Sequence, residues 1–355
     1  MLNRRSLIGA AAGVCLGCGM RRANAAGRRE VRVGGQRVRT VDIHCHCVIP
    51  GIVEATAGSP LEAVARRGLK MDGQNMPMQT RIAAMDAQGI DVEVMSINAW
   101  WYDADRDLAR RIIDVQNEGL MRLCRSVPGR LEAFASVSMQ FPELAAEQLE
   151  IGMRQQGLRG AAIGCSIAGD ELSHPRFDPF WEKAEALQAL VFLHPQDSPT
   201  ATGVAARVKG YGHLDNVIAN PLETTIALSH LIMDRTLDRF PKLRLCAAHG
   251  GGYLPSYAGR LDQGCAEQPS SCSGPGPLRK PSEYLKQIYV DSLLFTPEGM
   301  RHVAAEIGPG QIMIGTDYGY PWVKDPIGLV LSTPTLSDAN KIAILGGTAA
   351  RLLKL

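Results

Sequence analysis

The sequence predicts an α/β protein built as a single (β/α)₈ barrel. Eight short apolar runs recur from about residue 38 onwards, each followed by a segment with the length of an amphipathic helix. This alternation is typical of parallel strands joined by crossover helices. The alternative is an open doubly wound sheet, which usually has fewer strands and a glycine-rich phosphate loop after the first strand. This chain has His44-Cys45-His46 at that point, which favours the barrel.

The predicted elements alternate along most of the chain. The strands are predicted at residues 38–46, 91–99, 131–139, 160–167, 190–196, 243–250, 288–293 and 312–317. The helices are predicted at residues 79–88, 106–127, 143–156, 179–188, 224–240 and 298–307. Phe240-Pro241 ends the fifth of these helices, because the residue before a proline is disfavoured in helical conformation.

Two segments depart from the simple alternation. Residues 47–78 are rich in Gly, Pro and Met, and residues 262–282 are rich in Ser, Gly, Pro and Cys. They follow the first and sixth predicted strands, on the face where barrels build lids and pockets. We therefore expect short lid insertions at these two places. Cys265 and Cys272 lie in the second segment and form either a disulfide, in an oxidising compartment, or two free thiols.

The N-terminus has the three-part order of a twin-arginine signal peptide. Arg4-Arg5 precedes an apolar stretch over residues 7–20, and Ala23-Asn24-Ala25 offers a small-x-small cleavage site. A disordered basic tail is the alternative. We expect residues 1–25 to direct export to the periplasm and residues 26–355 to form the catalytic domain.

Charge and hydropathy exclude two classes of partner. The formal net charge is +2, and it becomes −2 without residues 1–25, which contain four arginines and no acidic residue. A near-neutral chain without a basic stripe does not predict binding to nucleic acid or to an anionic membrane surface. After the N-terminus no apolar run is long enough to span a bilayer. The expected partner is a small molecule.

Metal-binding residue types occur at the ends of several predicted strands. Side chains alternate along a strand, so His44 and His46 share one face of the first. His194, His249 and Asp317 end the fifth, sixth and eighth strands. Because strand ends converge at the catalytic face of a barrel, these five side chains are expected to meet. Imidazoles with a carboxylate are ligands for Zn²⁺ or a similar first-row ion that keeps an open position for water.

The fourth strand indicates how many ions bind. Two-metal barrels of this kind use a bridging carboxylated lysine there, but this strand ends in Gly164-Cys165-Ser166. We therefore expect one divalent ion per subunit, Zn²⁺ or another first-row metal, bound by the side chains of His44, His46, His194 and Asp317. His249 is expected beside the ion, free to move protons, since an imidazole titrates near neutral pH.

Several motifs resemble those of the amidohydrolase superfamily, within it the branch that contains aminocarboxymuconate-semialdehyde decarboxylase. The resemblance extends over nearly all of residues 26–355. Its most specific motifs are Asp42-Ile43-His44-Cys45-His46, Asn220-Pro221-Leu222-Glu223-Thr224-Thr225, His249-Gly250-Gly251-Gly252 and Gly315-Thr316-Asp317-Tyr318.

The resemblance implies an amidohydrolase-type barrel and a role for each matching residue. Zinc is bound at the positions of the four ligands above, Asp317 is also part of the catalytic centre, and His249 is the catalytic acid/base. The resemblance further implies a homodimer in which Arg260 reaches the neighbouring active site and binds a substrate carboxylate. Two differences set this chain apart from the namesake: residues 70–73 lack its second substrate-binding arginine, and Tyr318-Gly319-Tyr320-Pro321 replaces the usual Tyr-Pro.

Three functions fit this site, and the branch favours the first. The first is decarboxylation of an unsaturated or aromatic carboxylic acid. The alternative is hydrolysis of an amide, ester or lactone by a metal-activated water. A metal-binding scaffold is the third, but it predicts a closed set of four strong ligands. Trp101, in the run Trp100-Trp101-Tyr102 after the second strand, is expected to form part of an aromatic substrate wall.

Overall fold

The computed structural model describes residues 27–70, 74–196, 207–272, 279–320 and 322–355. All eight predicted strands are present in it, each shorter than predicted. They are β1 (Val41–His46), β2 (Val92–Ser96), β3 (Leu131–Ala133), β4 (Gly160–Ile163), β5 (Leu190–Leu193), β6 (Arg244–Ala247), β7 (Ile288–Asp291) and β8 (Ile312–Met313).

The strands close into a parallel barrel. β1, β2 and β3 pair in that order, and β4 to β8 pair in sequence order. A bridge between Ala135 and Ala161 connects the two groups after β3. Bridges from Asp42 to Ile314 and from Cys45 to Tyr318 connect β1 with the last strand and the loop after it. The predicted barrel is thus confirmed.

Helices surround the barrel. The main ones are α1 (Met78–Gln88), α2 (Arg106–Ser126), α3 (Pro142–Arg154), α4 (Asp178–Leu187), α5 (Asn220–Met233), α6 (Leu254–Glu267), α7 (Pro297–Glu306) and α8 (Thr348–Leu353). α2 begins where the side chain of Asp105 accepts a hydrogen bond from the backbone N–H of Leu108. Its apolar face packs on the barrel and its charged face is exposed, as its sequence predicts.

Shorter elements fill the connections. The short helices are Ile52–Ala55, Glu62–Leu69, Thr236–Arg239, Pro269–Cys272, Pro326–Ser332 and Asp338–Ile342. Single 3₁₀ or π segments lie at Pro175–Phe177, Asp215–Ala219, His249–Gly251, Pro281–Gln287, Pro309–Gln311 and Ala343–Gly347. Two small antiparallel hairpins pair Arg32–Val33 with Gln36–Arg37 and Ser166–Ile167 with Asp170–Glu171.

Residues 224–240 do not form one helix, so that prediction is wrong. α5 ends at Met233, and a separate helix covers Thr236–Arg239. Between them Arg235 takes a left-handed backbone conformation, with φ of 63°, which no α-helix can contain. The turn is made without a glycine or a proline, so the sequence carries no clear signal of it.

Both predicted lid segments contain helices. The segment after β1 contains Ile52–Ala55 and Glu62–Leu69, and its Ile49 side chain lies so close to Gly119 of α2 that a Cβ there would be 2.5 Å away. In the segment after β6, α6 extends to Glu267 and a disulfide joins Cys265 to Cys272. Residues 71–73, residues 273–278 and the predicted signal peptide lie outside the described residues.

The interior of the barrel is a packed apolar core. Val41, Ile43, Val94 and Phe192 are completely buried there, and the rings of Phe134 and Phe192 stack with centroids 5.8 Å apart. Burying one such side chain contributes about 1.5–3 kcal/mol to stability. The core forms a rigid floor below the C-terminal ends of the strands. Among the described helices, none has the length and apolar character that crossing a bilayer requires.

Candidate metal centre

Four buried side chains converge at the C-terminal ends of the strands. His44 and His46 lie on β1, His194 directly follows β5, and Asp317 follows β8. One potential ligand atom from each lies within 4.8 Å of every other. We call this set the metal group. It contains the four residues that the sequence predicts as ligands.

The ring nitrogens of the metal group are arranged for coordination. The Nε2 atoms of His44 and His46 are 3.1 Å apart. The Nδ1 of His44 is 2.6 Å from the Asp291 carboxylate, and the Nδ1 of His194 is 2.7 Å from the carbonyl oxygen of Pro195. Each of these Nδ1 atoms donates its proton, which leaves the lone pair on Nε2. Lone pairs that face one another repel unless a cation lies between them.

The carboxylate of the metal group also fits a cation. Asp317 Oδ1 lies 3.0 Å from Nε2 of His46 and 3.4 Å from Nε2 of His44. These contacts lack hydrogen-bond geometry, so this buried oxygen has no hydrogen-bond partner within the described part of the chain. Leaving such an oxygen unpaired is costly. The donor set therefore fits one divalent ion with nitrogen and oxygen ligands.

The electrostatics of the metal group agree with this assignment. Burial, together with the neighbouring histidines, lowers the pKa of His194 well below its usual range, and burial lowers the pKa of His46. Both imidazoles are therefore in the neutral form that binds metals. Burial also acts to lower the pKa of His44, but the carboxylates of Asp291 and Asp317 outweigh it and raise the value to about 10. A positive charge is thus strongly favoured between these two carboxylates, and a bound cation can supply it in place of a second proton on His44.

Asp291, at the end of β7, is a functional residue that the sequence reasoning missed. It is completely buried and holds the His44 ring through Oδ2. The same carboxylate accepts hydrogen bonds from the backbone N–H groups of His249 and Gly250, at 2.9 and 2.8 Å. One side chain therefore orients a metal ligand and the segment that carries the predicted acid/base. Its sequence signal is an aspartate at the end of the seventh strand, next to strand ends that carry His249 and Asp317.

His249 lies beside the metal group without belonging to it. Its ring centroid is 5.4 Å from those of His44 and His194. Its Nδ1 is buried and accepts or donates no hydrogen bond to any described residue. Burial, with the charge of His44, lowers the pKa of His249 to about 4, so its imidazole is neutral near pH 7. A neutral imidazole with a free nitrogen can receive a proton from a bound molecule and return it.

The backbone is strained at His249 and Asp317, the two positions that the sequence predicts to be catalytic. His249 has φ of 57° and Asp317 has φ of 55°, in the left-handed region that non-glycine residues rarely adopt. Such strain costs about 1–3 kcal/mol per residue and is concentrated at functional sites. The glycines after His249 are required by space as well: a Cβ on Gly252 would lie 2.2 Å from the carbonyl oxygen of Pro221.

Buried polar contacts hold β1 in place beneath the metal group. The carboxylate of Asp42 accepts hydrogen bonds from the backbone N–H of His44 and from both N–H and hydroxyl of Thr316. Burial raises the pKa of Asp42 to about 7, although these hydrogen bonds oppose the shift. Arg81 pairs with Glu93 at 2.5 Å and donates to the carbonyl oxygen of His46 at 2.9 Å. These contacts fix the positions of both β1 histidines.

A cavity of about 760 Å³ adjoins the metal group. Tyr320 connects the two, since it lines the cavity and its ring lies edge-on to that of His46 at 5.8 Å. Trp100 and Tyr102 also line the cavity, whereas Trp101 is 0% exposed and donates from Nε1 to the carbonyl oxygen of Val137. The prediction that Trp101 forms the substrate wall is therefore wrong. Its side chain points to the opposite side from its two neighbours, into the core.

A family model described as amidohydrolase matches residues 41–355 of the chain. The chain belongs to the amidohydrolase family. Its relatives include the 2-amino-3-carboxymuconate-6-semialdehyde decarboxylase of Dictyostelium discoideum, 28% identical over 89% of this chain and 84% of that protein. The gamma-resorcylate decarboxylase of Rhizobium radiobacter is 28% identical over 78% of this chain and 86% of that protein.

A solved structure shares the barrel of this amidohydrolase. It is the 5-carboxyvanillate decarboxylase of Novosphingobium aromaticivorans, complexed with manganese and 4-hydroxy-3-methoxy-5-nitrobenzoic acid. It aligns with a TM-score of 0.76 at 22% identity, over 92% of this chain and 99% of that one. The predicted family and amidohydrolase-type barrel are both confirmed.

Arg260 lies outside the site of its own subunit. It is exposed on α6 and does not line the cavity of this amidohydrolase. Its neighbour Asp262 accepts two hydrogen bonds from Ser282, from the backbone N–H and from the hydroxyl. The structure therefore leaves the guanidinium of Arg260 pointing to the surface, and its predicted role in a neighbouring site stays a prediction.

Proposed function

We propose that this amidohydrolase-family chain is a metal-dependent decarboxylase of an aromatic or unsaturated carboxylic acid. The observation that carries the proposal is the metal group with His249 beside it, whose free nitrogen faces no other described partner. The relatives from Dictyostelium and Rhizobium, both decarboxylases, support this reaction over others in the family. The small-molecule carboxylic acid expected from the sequence is the corresponding substrate.

We further propose one divalent ion per subunit. Two imidazoles from β1, a third from the end of β5 and the Asp317 carboxylate supply its ligands. Zn²⁺ suits this set, and the manganese bound by the similar 5-carboxyvanillate decarboxylase makes Mn²⁺ the main alternative. When bound, the ion would act as a Lewis acid and would orient the substrate carboxylate and an adjacent oxygen.

Residues of the chain itself transfer the proton and hold the reacting groups in position. The neutral imidazole of His249 first takes a proton from a hydroxyl or amino group of the bound substrate and then delivers it to the carbon that bears the carboxylate. The bond from that carbon to the carboxylate carbon breaks to release CO₂, and the group that gave the proton regains one from solvent. The electron pair of the broken bond stays on the protonated ring system and restores its conjugation. Asp291 orients the backbone of His249 and the His44 ring during this step. The packed core beneath keeps water from reaching the site from below.

Hydrolysis is the second candidate. Its support is the neutral His249 imidazole, which can take a proton from a water bound near the metal group. A screen separates the two reactions: the metal-loaded chain is incubated with aromatic and unsaturated carboxylic acids and with amides, esters and lactones, and CO₂ and hydrolysis products are both measured. Release of CO₂ that His249→Ala abolishes supports decarboxylation. Hydrolysis without CO₂ release would overturn it.

We also propose a homodimer in which Arg260 binds a substrate carboxylate in the neighbouring subunit, namely the carboxylate that lies at the metal group. Its support is the exposed position of Arg260 on α6 and the bidentate fit of guanidinium to carboxylate. The exposed ring of Tyr257 on the same helix adds apolar surface for an interface. Mixing inactive Arg260→Ala with inactive His249→Ala chains under subunit exchange should restore activity, because mixed dimers contain one intact site. No recovery would exclude action in the neighbouring subunit.

We propose export to the periplasm by the twin-arginine route. The support is the order of features in residues 1–25, and a disulfide between Cys265 and Cys272 fits an oxidising compartment. Replacing both Arg4 and Arg5 by lysine in the full chain should retain the protein inside the cytoplasm, as measured by fractionation. Unchanged distribution between the two compartments would contradict the proposal.

A further inference from the structure

A buried amide lines the cavity wall away from the metal group. Gln116 lies on α2, is 1% exposed and lines the cavity. Its Oε1 is buried and has no hydrogen-bond partner in the described residues. The next residue, Asn117, is different, because its amide exchanges two hydrogen bonds with the backbone of Ser136. The Oε1 of Gln116 thus takes no part in holding α2 on the barrel.

A second amide faces the same cavity. Asn98 follows β2 and lines the cavity, and its buried Oδ1 also lacks a partner among the described residues. A third amide that lines the cavity behaves differently, since Gln74 donates to the hydroxyl of Tyr320 at 3.0 Å. A buried amide oxygen left unpaired costs about 1–3 kcal/mol, so a bound molecule that donates to it regains that free energy.

The charges around the cavity disfavour a second anion. Among the described lining residues the charged ones are Arg67, Asp103 and Glu171, so two of the three are acidic. Arg67 is exposed on the helix Glu62–Leu69, at the rim. A second carboxylate on the substrate would meet the carboxylates of Asp103 and Glu171 and, among the described lining residues of its own subunit, no buried cation.

We infer that Gln116 and Asn98 recognise hydrogen-bond donors, hydroxyl or amino groups, on the substrate ring. The substrate class is thus an aromatic monocarboxylic acid with donor substituents, not a dicarboxylic acid. This inference rests on the proposed function, because it assumes that the carboxylate of the substrate lies at the metal group. Gln116 has the larger effect of the two, since it is the more deeply buried.

The test measures binding, so that it does not depend on turnover. The Mn²⁺-loaded chain is titrated calorimetrically with 2-hydroxybenzoates that carry, at each ring position in turn, a second hydroxyl, a methoxy or a second carboxylate. At the best position the hydroxyl compound should bind about tenfold more tightly than its methoxy counterpart, as expected for one net hydrogen bond to a buried acceptor. The dicarboxylate should bind more weakly than both.

Two substitutions connect this preference to Gln116. Gln116→Met keeps the volume and removes the acceptor, so the hydroxyl and methoxy compounds should bind equally well. Gln116→Glu keeps the shape and adds charge, so an amino substituent should gain at least tenfold over the methoxy group. The matched control is Gln148→Met, a buried glutamine on α3 that accepts from the backbone N–H of Ser138 and does not line the cavity. It should lower the melting temperature without changing the order of binding.

The outcomes separate this inference from the proposed function. A tenfold preference that survives in Gln116→Met overturns the role of Gln116. Equal or tighter binding of the dicarboxylate by the unaltered chain overturns the substrate class, even if neither variant folds. Binding in the expected order without release of CO₂ leaves the inference standing and contradicts the decarboxylase proposal instead.

Discussion

The metal group and the cavity wall beside it are built from different parts of the barrel. The metal group lies on strand ends, and its side chains are held from below by Asp291, Asp42 and the packed core. The cavity wall comes from the insertion after β1, from α2 and from the loops after β2 and β4. The metal group is thus held rigidly from several sides, whereas the cavity wall carries the unpaired amides that we propose to select the substrate.

The largest expected effect on activity comes from His249, beside the metal group. His249→Ala should lower the turnover rate by a factor of roughly 10²–10⁴, the usual cost of removing a general acid or base. It should keep its metal, because the imidazole lies beside the metal group and is not one of its members. The measurement is turnover together with elemental analysis of the purified variant. Loss of the ion would show that His249 is a ligand.

Two adjacent tryptophans test the difference between the core and the cavity wall, because Trp101 lies in the core and Trp100 lines the cavity. Trp101→Ala should lower the free energy of unfolding by about 3–5 kcal/mol, because a completely buried ring leaves a cavity. Trp100 is the matched control, since it lines the substrate cavity and is partly exposed. Trp100→Ala should change substrate affinity more than stability, as measured by KM and denaturant unfolding. The reverse pattern would contradict the assignment of these two rings.

A smaller effect, on metal affinity, is expected at Asp291, beneath the metal group. Asp291→Asn should weaken metal affinity by about 10–100-fold, since the carboxylate that orients His44 is replaced by a neutral amide. The control is Asp262→Asn on α6. The carboxylate of Asp262 accepts two hydrogen bonds from Ser282 and does not belong to the metal group. The measurement is competition with a chelator of known affinity. Equal metal affinities for the two variants would show that Asp291 does not orient His44 for metal binding.

The metal group could be predicted from the sequence because the geometry of the strands determines where its side chains lie. Alternation places His44 and His46 on one face, and strand ends meet at one point, so His194 and Asp317 could be added without a structure. Asp291 obeys the same rule, but the predicted seventh strand continues to residue 293, so Asp291 does not lie at its predicted end. Its role depends on hydrogen bonds across the barrel to His249 and His44, which the sequence does not display.

The wall could not be predicted to the same extent. Trp101 was expected in the cavity, but beyond the last residue of β2 the chain turns, and strand alternation no longer says which side chain faces inward. Gln116 lies in the middle of a long amphipathic helix, where a single polar residue on the buried face carries no pattern of its own. Arg235, two residues after the end of α5, takes a left-handed backbone conformation that its residue type does not signal. Such features depend on packing between elements that are distant in the sequence.

The central claim is that one divalent ion occupies the metal group. Its most direct test is elemental analysis of the purified chain, after loading with Zn²⁺ or Mn²⁺ and removal of excess ion, alongside His194→Ala and His249→Ala. We expect one ion per chain in the unaltered protein and in His249→Ala, and none retained by His194→Ala. Two tightly bound ions per chain, or full retention by His194→Ala, would contradict it.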